Sequence, residues 1–249
     1  LLFRSAGGPP SVACLSVFGL CLVLMLPWGL VSAPRVAGPE GGAIDLELVQ
    51  RHLQMLQAGA DRAYPPFEFQ GERGAEGFNV DLLREVARVM GVGVQIGTGP
   101  WSEVRHQLET GHLDVLCGMF RSDERDDLVD FSAPHIWVSH ALLVPRLSPV
   151  RSLDDLNQRV VAVENGDIMH DYAQKSLVPN GATLLVCATP LAALQALKEG
   201  QCQAALLGTL QAAHLCRKHP ELSGILAVQG DLLPQAYCFA VPEGRQEVL

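Results

Sequence analysis

From about Leu53 the chain alternates short apolar runs with amphipathic stretches. Asn79 is placed to cap a helix over Val80–Met90, because Phe78, Leu82, Leu83, Val86 and Met90 share one face and Gly91 supplies a stop. Val92–Gly97 alternates like a strand, Ser102–Thr110 reads as a helix stopped by Gly111, and Leu113–Met119 and His140–Pro145 read as strands. Leu53–Gly59 fits either a helix end or a strand. Beyond Pro149 the alternation restarts. Arg159–Glu164, Thr183–Cys187, Ala204–Leu207 and Tyr237–Val241 read as strands, and Asp167–Leu177, Pro190–Glu199 and Leu210–Lys218 as helices. Strands alternating with helices of this size predict α/β layers on a largely parallel sheet. The Pro-marked joint between two such runs predicts two lobes.

The segment before this pattern has another character. Ser11 to Ala33 carries no charge and follows Arg4, as an export signal does. It also reaches the roughly 20 apolar residues that span a bilayer. Val31 and Ala33 have the spacing of a cleavage site, but Pro34 directly after them disfavours cleavage, so a cleaved signal and a retained anchor both stay open. With the Gly- and Pro-containing linker Ala37–Gly42, residues 1–43 form a signal peptide or membrane anchor. The remainder is then expected in the periplasm, exported or held at the inner membrane.

Charge and motif content narrow the function. The 249 residues allow one large domain or two smaller ones with their own cores. A formal net charge of −9 without any basic run excludes nucleic acid as a partner. Of seven cysteines, Cys14 and Cys21 fall in the leader; the other five contain no CxxC pair. Cys117, Cys187 and Cys238 sit in apolar strand-like runs and read as buried free thiols. The eight histidines have no metal-ligand spacing, and His135, His140 and His170 read as structural. There is no Walker A loop, no GxGxxG after a strand and no GxSxG elbow, so neither cofactor nor metal is expected.

Four stretches carry a resemblance: DRAYPPFEF from Asp61, GFNVDLL from Gly77, LETGHLDV from Leu108 and GMFRSDERDDLVDFSAPH from Gly118. Their order and spacing are similar to those of the family 3 bacterial extracellular solute-binding proteins, the type that binds polar amino acids. SLDDLNQRVVAVENGD from Ser152 resembles the opening of that family's second lobe. The resemblance runs from about Leu53 to the end. It implies an α/β, two-lobed periplasmic-binding-protein (Venus flytrap, type II) fold, with a two-strand hinge near His140–Pro145 and Tyr237–Val241. Lobe 1 would comprise 44–143 and 238–249, and lobe 2 would comprise 144–237. The family's closing helix would begin where this sequence stops, so a truncated C-terminus is expected. GMFRSDER, ENGDIMHDY and ALLGTLQ also resemble the sensor versions of the fold in membrane histidine kinases and diguanylate cyclases. The implied partners are a small amino acid or organic acid, and either an ABC permease or the protein's own transmembrane signalling domains.

The resemblance also nominates residues. Arg125 aligns with the arginine that holds a ligand carboxylate, and its guanidinium offers two parallel donors for that task. Read from charge pattern alone, it is a solvated arginine paired with Glu124, Asp126 or Asp127. Tyr64 and Trp101 align with the aromatic walls of the pocket, with core packing as the alternative, evenly balanced for Trp101. Phe67 reads as core. Gly166 and Asp167 open a helix whose free N–H groups favour anions, although Asp167 itself would repel one while capping the helix. Gly118 and Phe120 fall in the ligand-contacting run, Phe120 where Thr or Ser is usual. Gly208 stands where an ammonium-binding Asp is expected, with Thr209 beside it. If Asp167 is spent on its cap, the pocket keeps positive character and prefers an acid without an amino group; if it turns into the cleft instead, an amino acid can still bind. Solute binding without catalysis is the expected function. The alternative is a cleft dehydratase or lyase acting on a carboxylate substrate, with Glu164 or Asp167 as the acid.

Overall fold

The structure, a computed structural model, describes residues 55–249, and the expectations for the leader and linker lie outside the described residues. Strand β1 (Met55–Asp61) resolves the ambiguous Leu53–Gly59 segment. A small antiparallel sheet follows, formed by β2 (Ala63–Tyr64), β3 (Glu68–Gly71) and β4 (Gly74–Glu76). Helix α1 (Phe78–Met90) then buries Val80, Leu83 and Ala87 and ends at Gly91 in the left-handed conformation. Its start differs from the sequence expectation: the cap is Gly77, with φ 124°, and Asn79 is a buried residue of the first turn. A Cβ on Gly77 would lie 2.4 Å from the Phe67 carbonyl oxygen, so only glycine lets the chain enter the helix there.

The first lobe continues with β5 (Gly93–Gly99), α2 (Trp101–Glu109), β6 (Val115–Phe120), the single turn α3 (Asp123–Asp126) and β7 (Val129–Phe131). Strand β1 pairs in parallel with both β5 and β6. Strand β8 (Ile136–Pro145) leads into the second lobe. There β9 (Val160–Glu164), β10 (Thr183–Cys187) and β11 (Ala204–Gly208) alternate with α4 (Ile168–Tyr172), α5 (Pro190–Lys198) and α6 (Thr209–Lys218). The long helix expected over Asp167–Leu177 breaks instead: α4 widens into a π-helical turn over Ala173–Leu177.

One mixed sheet runs through both lobes in the order β10-β9-β11-β8-β12-β6-β1-β5, with β7 on β12. Its last strand, β12 (Ile225–Pro242), is far longer than the expected Tyr237–Val241. It pairs antiparallel with β8 from Ile225 opposite Pro145 to Tyr237 opposite Ile136, then with β6 and β7. These two strands connect the lobes. Irregularities between Ala227 and Gln235, and a positive φ of 43° at Leu233, break the ladder midway.

Leu194, Leu197, Leu207 and Leu215 centre a core beneath the outer helices of the second lobe, and Leu56, Val80, Leu83 and Cys117 centre one in the first. A further cluster crosses between them, joining Tyr64, Phe67, Phe120 and Tyr237 to Leu142, Val163, Ile168 and Met169. Each such aliphatic side chain contributes about 1.5–3 kcal/mol on burial. The five cysteines of the described region are free, with Cys117, Cys202 and Cys238 buried. Among the described residues no helix is long and apolar enough to cross a membrane.

Candidate functional site

The chain turns sharply after β1 at Asp61, whose carboxylate accepts the Ala63 amide at 2.8 Å. This turn delivers Tyr64 inward, and β3 delivers Glu68 beside it. Both are buried, and both line a small cavity with Asp61, Trp101, Phe120, Asp167 and Tyr237. Asp167 comes from the second lobe, Tyr237 from the connecting strand β12 and the rest from the first lobe, so the cavity lies in the cleft. In this closed form it has room for roughly one water. Phe120 stacks on Tyr237 at 4.3 Å between ring centroids, and Tyr64 packs on both rings at 6.1 Å.

The polar groups here are acidic. Tyr237 donates to Glu68 Oε1 at 2.8 Å, but Glu68 Oε2 and the Tyr64 hydroxyl have no hydrogen-bond partner, although the two residues are only 1% and 4% exposed. Glu164 is also buried, at the end of β9, with Oε1 unpartnered. Burial pushes the Asp61 carboxyl up to about 7, against the hydrogen bond from Ala63 and reinforced by Asp167. Burial first, and neighbouring carboxylates second, push Glu68 and Glu164 well above the usual carboxylate range. Burial also lowers His140, against the raising effect of Asp167. Among the described residues no group of three or more ligating side chains is placed to hold a metal ion.

Arg125 does not line this cavity. Its side chain is 1% exposed, and its guanidinium reaches across the cleft, 5.8 Å from the Trp101 ring. Nε and Nη2 donate to Asp171 Oδ2 at 3.2 and 2.8 Å, Nη2 also donates to the Gly166 carbonyl at 3.1 Å, and Nη1 donates to the Phe120 carbonyl at 3.4 Å. Gly166, with φ 73°, turns its carbonyl toward the first lobe, where Trp101 Nε1 donates at 2.7 Å and Arg105 Nη1 at 3.2 Å. Arg105 stands 3.6 Å from Asp171, and Lys175 pairs with Glu124 nearby. The lobes are thus held shut by a set of charge-assisted hydrogen bonds centred on Gly166 and Asp171.

Of the residues nominated from sequence, Tyr64, Trp101, Phe120 and Asp167 meet at the cavity, and Arg125 and Gly166 meet beside it. Gly118 lies beneath it: a Cβ there would come within 2.2 Å of Asn79 Nδ2 and 2.7 Å of the Tyr237 ring. Thr209 stands apart, its hydroxyl donating to the Gly230 carbonyl at 2.8 Å. Asp167 caps α4 as expected, with Oδ1 accepting the Met169 amide at 2.9 Å. The expected positive character is overturned. Asp61 and Glu68 belong to the quoted DRAYPPFEF stretch, yet nothing in a linear reading distinguishes a buried carboxyl from a solvated one. Asp171 likewise carries no local signal.

Residues 56–246 match the family described as bacterial extracellular solute-binding proteins, family 3. The L-cystine-binding protein TcyJ of Escherichia coli K12 is 27% identical over 199 residues, which is 78% of this chain and 73% of that protein. The cyclohexadienyl dehydratase of Pseudomonas aeruginosa is more distant, at 23% over 190 residues, 74% of this chain and 70% of the enzyme. Among solved structures, a histidine kinase sensor domain with similarity to periplasmic binding proteins superposes with a TM-score of 0.73 at 35% identity, covering 78% of this chain and 85% of that one. An ancestral arginine-binding protein bound to arginine gives 0.72 at 28% identity, covering 79% and 88%. The two-lobed α/β architecture, the cleft and the matched span agree: the chain belongs to family 3 of the bacterial extracellular solute-binding proteins.

Proposed function

We propose that this chain captures a small, positively charged nitrogen compound in the cleft outside the cytoplasm and releases it unchanged. The observation that carries this is the wall of buried carboxyl groups, Asp61, Glu68 and Asp167, facing one cavity under the Tyr64 and Tyr237 rings. An ammonium or guanidinium would satisfy the free oxygens of Glu68 and Tyr64 and offset the mutual repulsion of the acids. Aromatic faces add to the attraction for a cation. Residues 44–143 with 238–249, and 144–237, act as the two lobes, and strands β8 and β12 act as the hinge. A ligand that touches both lobes favours the shut form. The output is delivery to a permease or a signal through the protein's own membrane domains. Similarity to an arginine-binding protein supports the ligand class, and similarity to amino-acid-binding proteins and to a kinase sensor domain supports these two outlets.

The test is a thermal-shift panel of arginine, lysine, putrescine, glutamine, glutamate and succinate. A ligand present at one hundred times its Kd adds about 2.7 kcal/mol of stability. The cations should raise the melting temperature and the acids should not. Stabilisation by glutamate or succinate alone would overturn the reading. NMR of a stabilising ligand left with the protein should show it chemically intact, and turnover would overturn the non-catalytic part.

A further inference from the structure

The most deeply buried cation of the cleft, Arg125, is suited to a carboxylate, and the protein already supplies one to it. Asp171 accepts from both Nε and Nη2, and the Gly166 and Phe120 carbonyls accept from the remaining edges, so each guanidinium nitrogen has a protein acceptor. The Arg125 side chain is 1% exposed, while Asp171 is 44% exposed, at the mouth of the cleft. Arg105 approaches the same Asp171 oxygen from the other side. The seat for an anion is therefore filled from within when the lobes are shut, and Trp101 borders both that seat and the cavity. The cavity itself presents only carboxyls, hydroxyls and aromatic rings, with the Glu68 Oε2 and Tyr64 hydroxyl oxygens unpartnered.

A free carboxylate on the ligand would meet two costs. In the cavity it would find no cation and would have to compete with Asp61, Glu68 and Asp167 for the few protons these acids share, in a poorly solvated site. At Arg125 it would have to displace Asp171 and open the contacts that hold the lobes. A ligand with one or two cationic nitrogens and no carboxylate needs the cavity to widen, as any ligand does, but it neither competes for the acids' protons nor displaces Asp171 from Arg125. Resting on the proposed capture of a cation, we infer that the site selects amines or guanidines that lack a free carboxylate, with Asp171 acting as a built-in substitute for the carboxyl group.

The test compares arginine with agmatine, and lysine with cadaverine, by calorimetry on the wild-type protein and on Asp171→Asn. Each pair differs by one carboxylate. In the wild type the decarboxylated member should bind at least about tenfold more tightly, a difference of about 1.4 kcal/mol. In Asp171→Asn the seat at Arg125 loses its internal occupant, so the gap within each pair should narrow by about tenfold or reverse. Equal or tighter binding of arginine and lysine to the wild type overturns the inference while leaving the capture of cations intact. A wild-type preference for agmatine that Asp171→Asn leaves unchanged overturns the role given to Asp171. Binding of none of the four overturns both readings. The wild-type comparison decides the ligand class even if the variant folds poorly.

Discussion

The hydroxyl of Tyr64 stands directly over Gly208, where a Cβ would lie 2.7 Å from its oxygen. The ring cannot step aside cheaply, because Phe67, Phe120 and Tyr237 surround it at centroid distances of 5.9, 6.1 and 6.1 Å. Gly208→Ala should therefore cost about 1–3 kcal/mol in overpacking and push the hydroxyl out of the cavity. Chemical denaturation and ligand titration together check this. Wild-type stability and affinity in the variant would mean that the ring has slack.

Arg125 is tied to the fold as well as to the cleft. Its sequence context predicts little effect of substitution on folding, but the structure gives its guanidinium three protein acceptors. Arg125→Ala should cost about 1.5–3 kcal/mol, as for lost hydrogen bonds to a charged group. This falls short of the effect of breaking a fully buried pair because Asp171 can turn to solvent. The variant should also populate an open form, visible as a larger radius of gyration in X-ray scattering. An unchanged melting curve and scattering profile would refute both expectations.

Acidity should stabilise the ligand-free protein. Burial raises the Asp61 carboxyl from its ordinary 3.8 to about 7 in the folded protein, against the Ala63 hydrogen bond, with Asp167 raising it further and the exposed Arg62 lowering it. The folded state thus holds the extra proton between these values, and stability falls as pH rises through that window. Glu68 and Glu164 shift in the same direction. A bound cation favours the ionised carboxyl, so binding should tighten toward neutral pH and release protons. Melting from pH 4 to 8, and calorimetry in buffers of different ionisation enthalpy, measure the two slopes. A shallower Asp61→Asn profile beside a steeper wild type is the expected pattern, with Glu68 and Glu164 supplying the slope that remains, and parallel profiles would remove Asp61 as a source.

Trp101 reports on closure. Its ring is buried, and its Nε1 bridges to Gly166 in the other lobe, whereas Trp137 is largely exposed. With Trp28 and Trp137 changed to Phe, emission should shift to shorter wavelength when ligand shuts the lobes. An emission maximum indifferent to saturating ligand would show that Trp101 keeps one environment throughout.

The α/β alternation was legible because helix and strand periods are local. The second-lobe strands β9, β10 and β11 fall within a residue or so of where alternation predicts them. The first half of β12 was not legible, since Gly230, Asp231 and Pro234 interrupt its pattern and bulges absorb the interruptions. The placement of Tyr64 at the cavity could be read only through the resemblance that DRAYPPFEF carries. The charge of the cleft could not: Asp61 and Glu68 become a site only when β1, β3 and β12 converge around them. Nor could Asp171, which matters because α4 carries it across the cleft to an arginine forty-six residues earlier in the chain.

The atom that gathers Trp101, Arg105 and Arg125 is the carbonyl of Gly166, part of the main chain rather than of any side chain. No coding change at position 166 can delete that oxygen or alter its polarity. Only its direction can be disturbed, by a residue that resists the left-handed turn. Inheritance can therefore retune the shutting of this protein through the three donors, while the acceptor they share stays outside the reach of side-chain substitution.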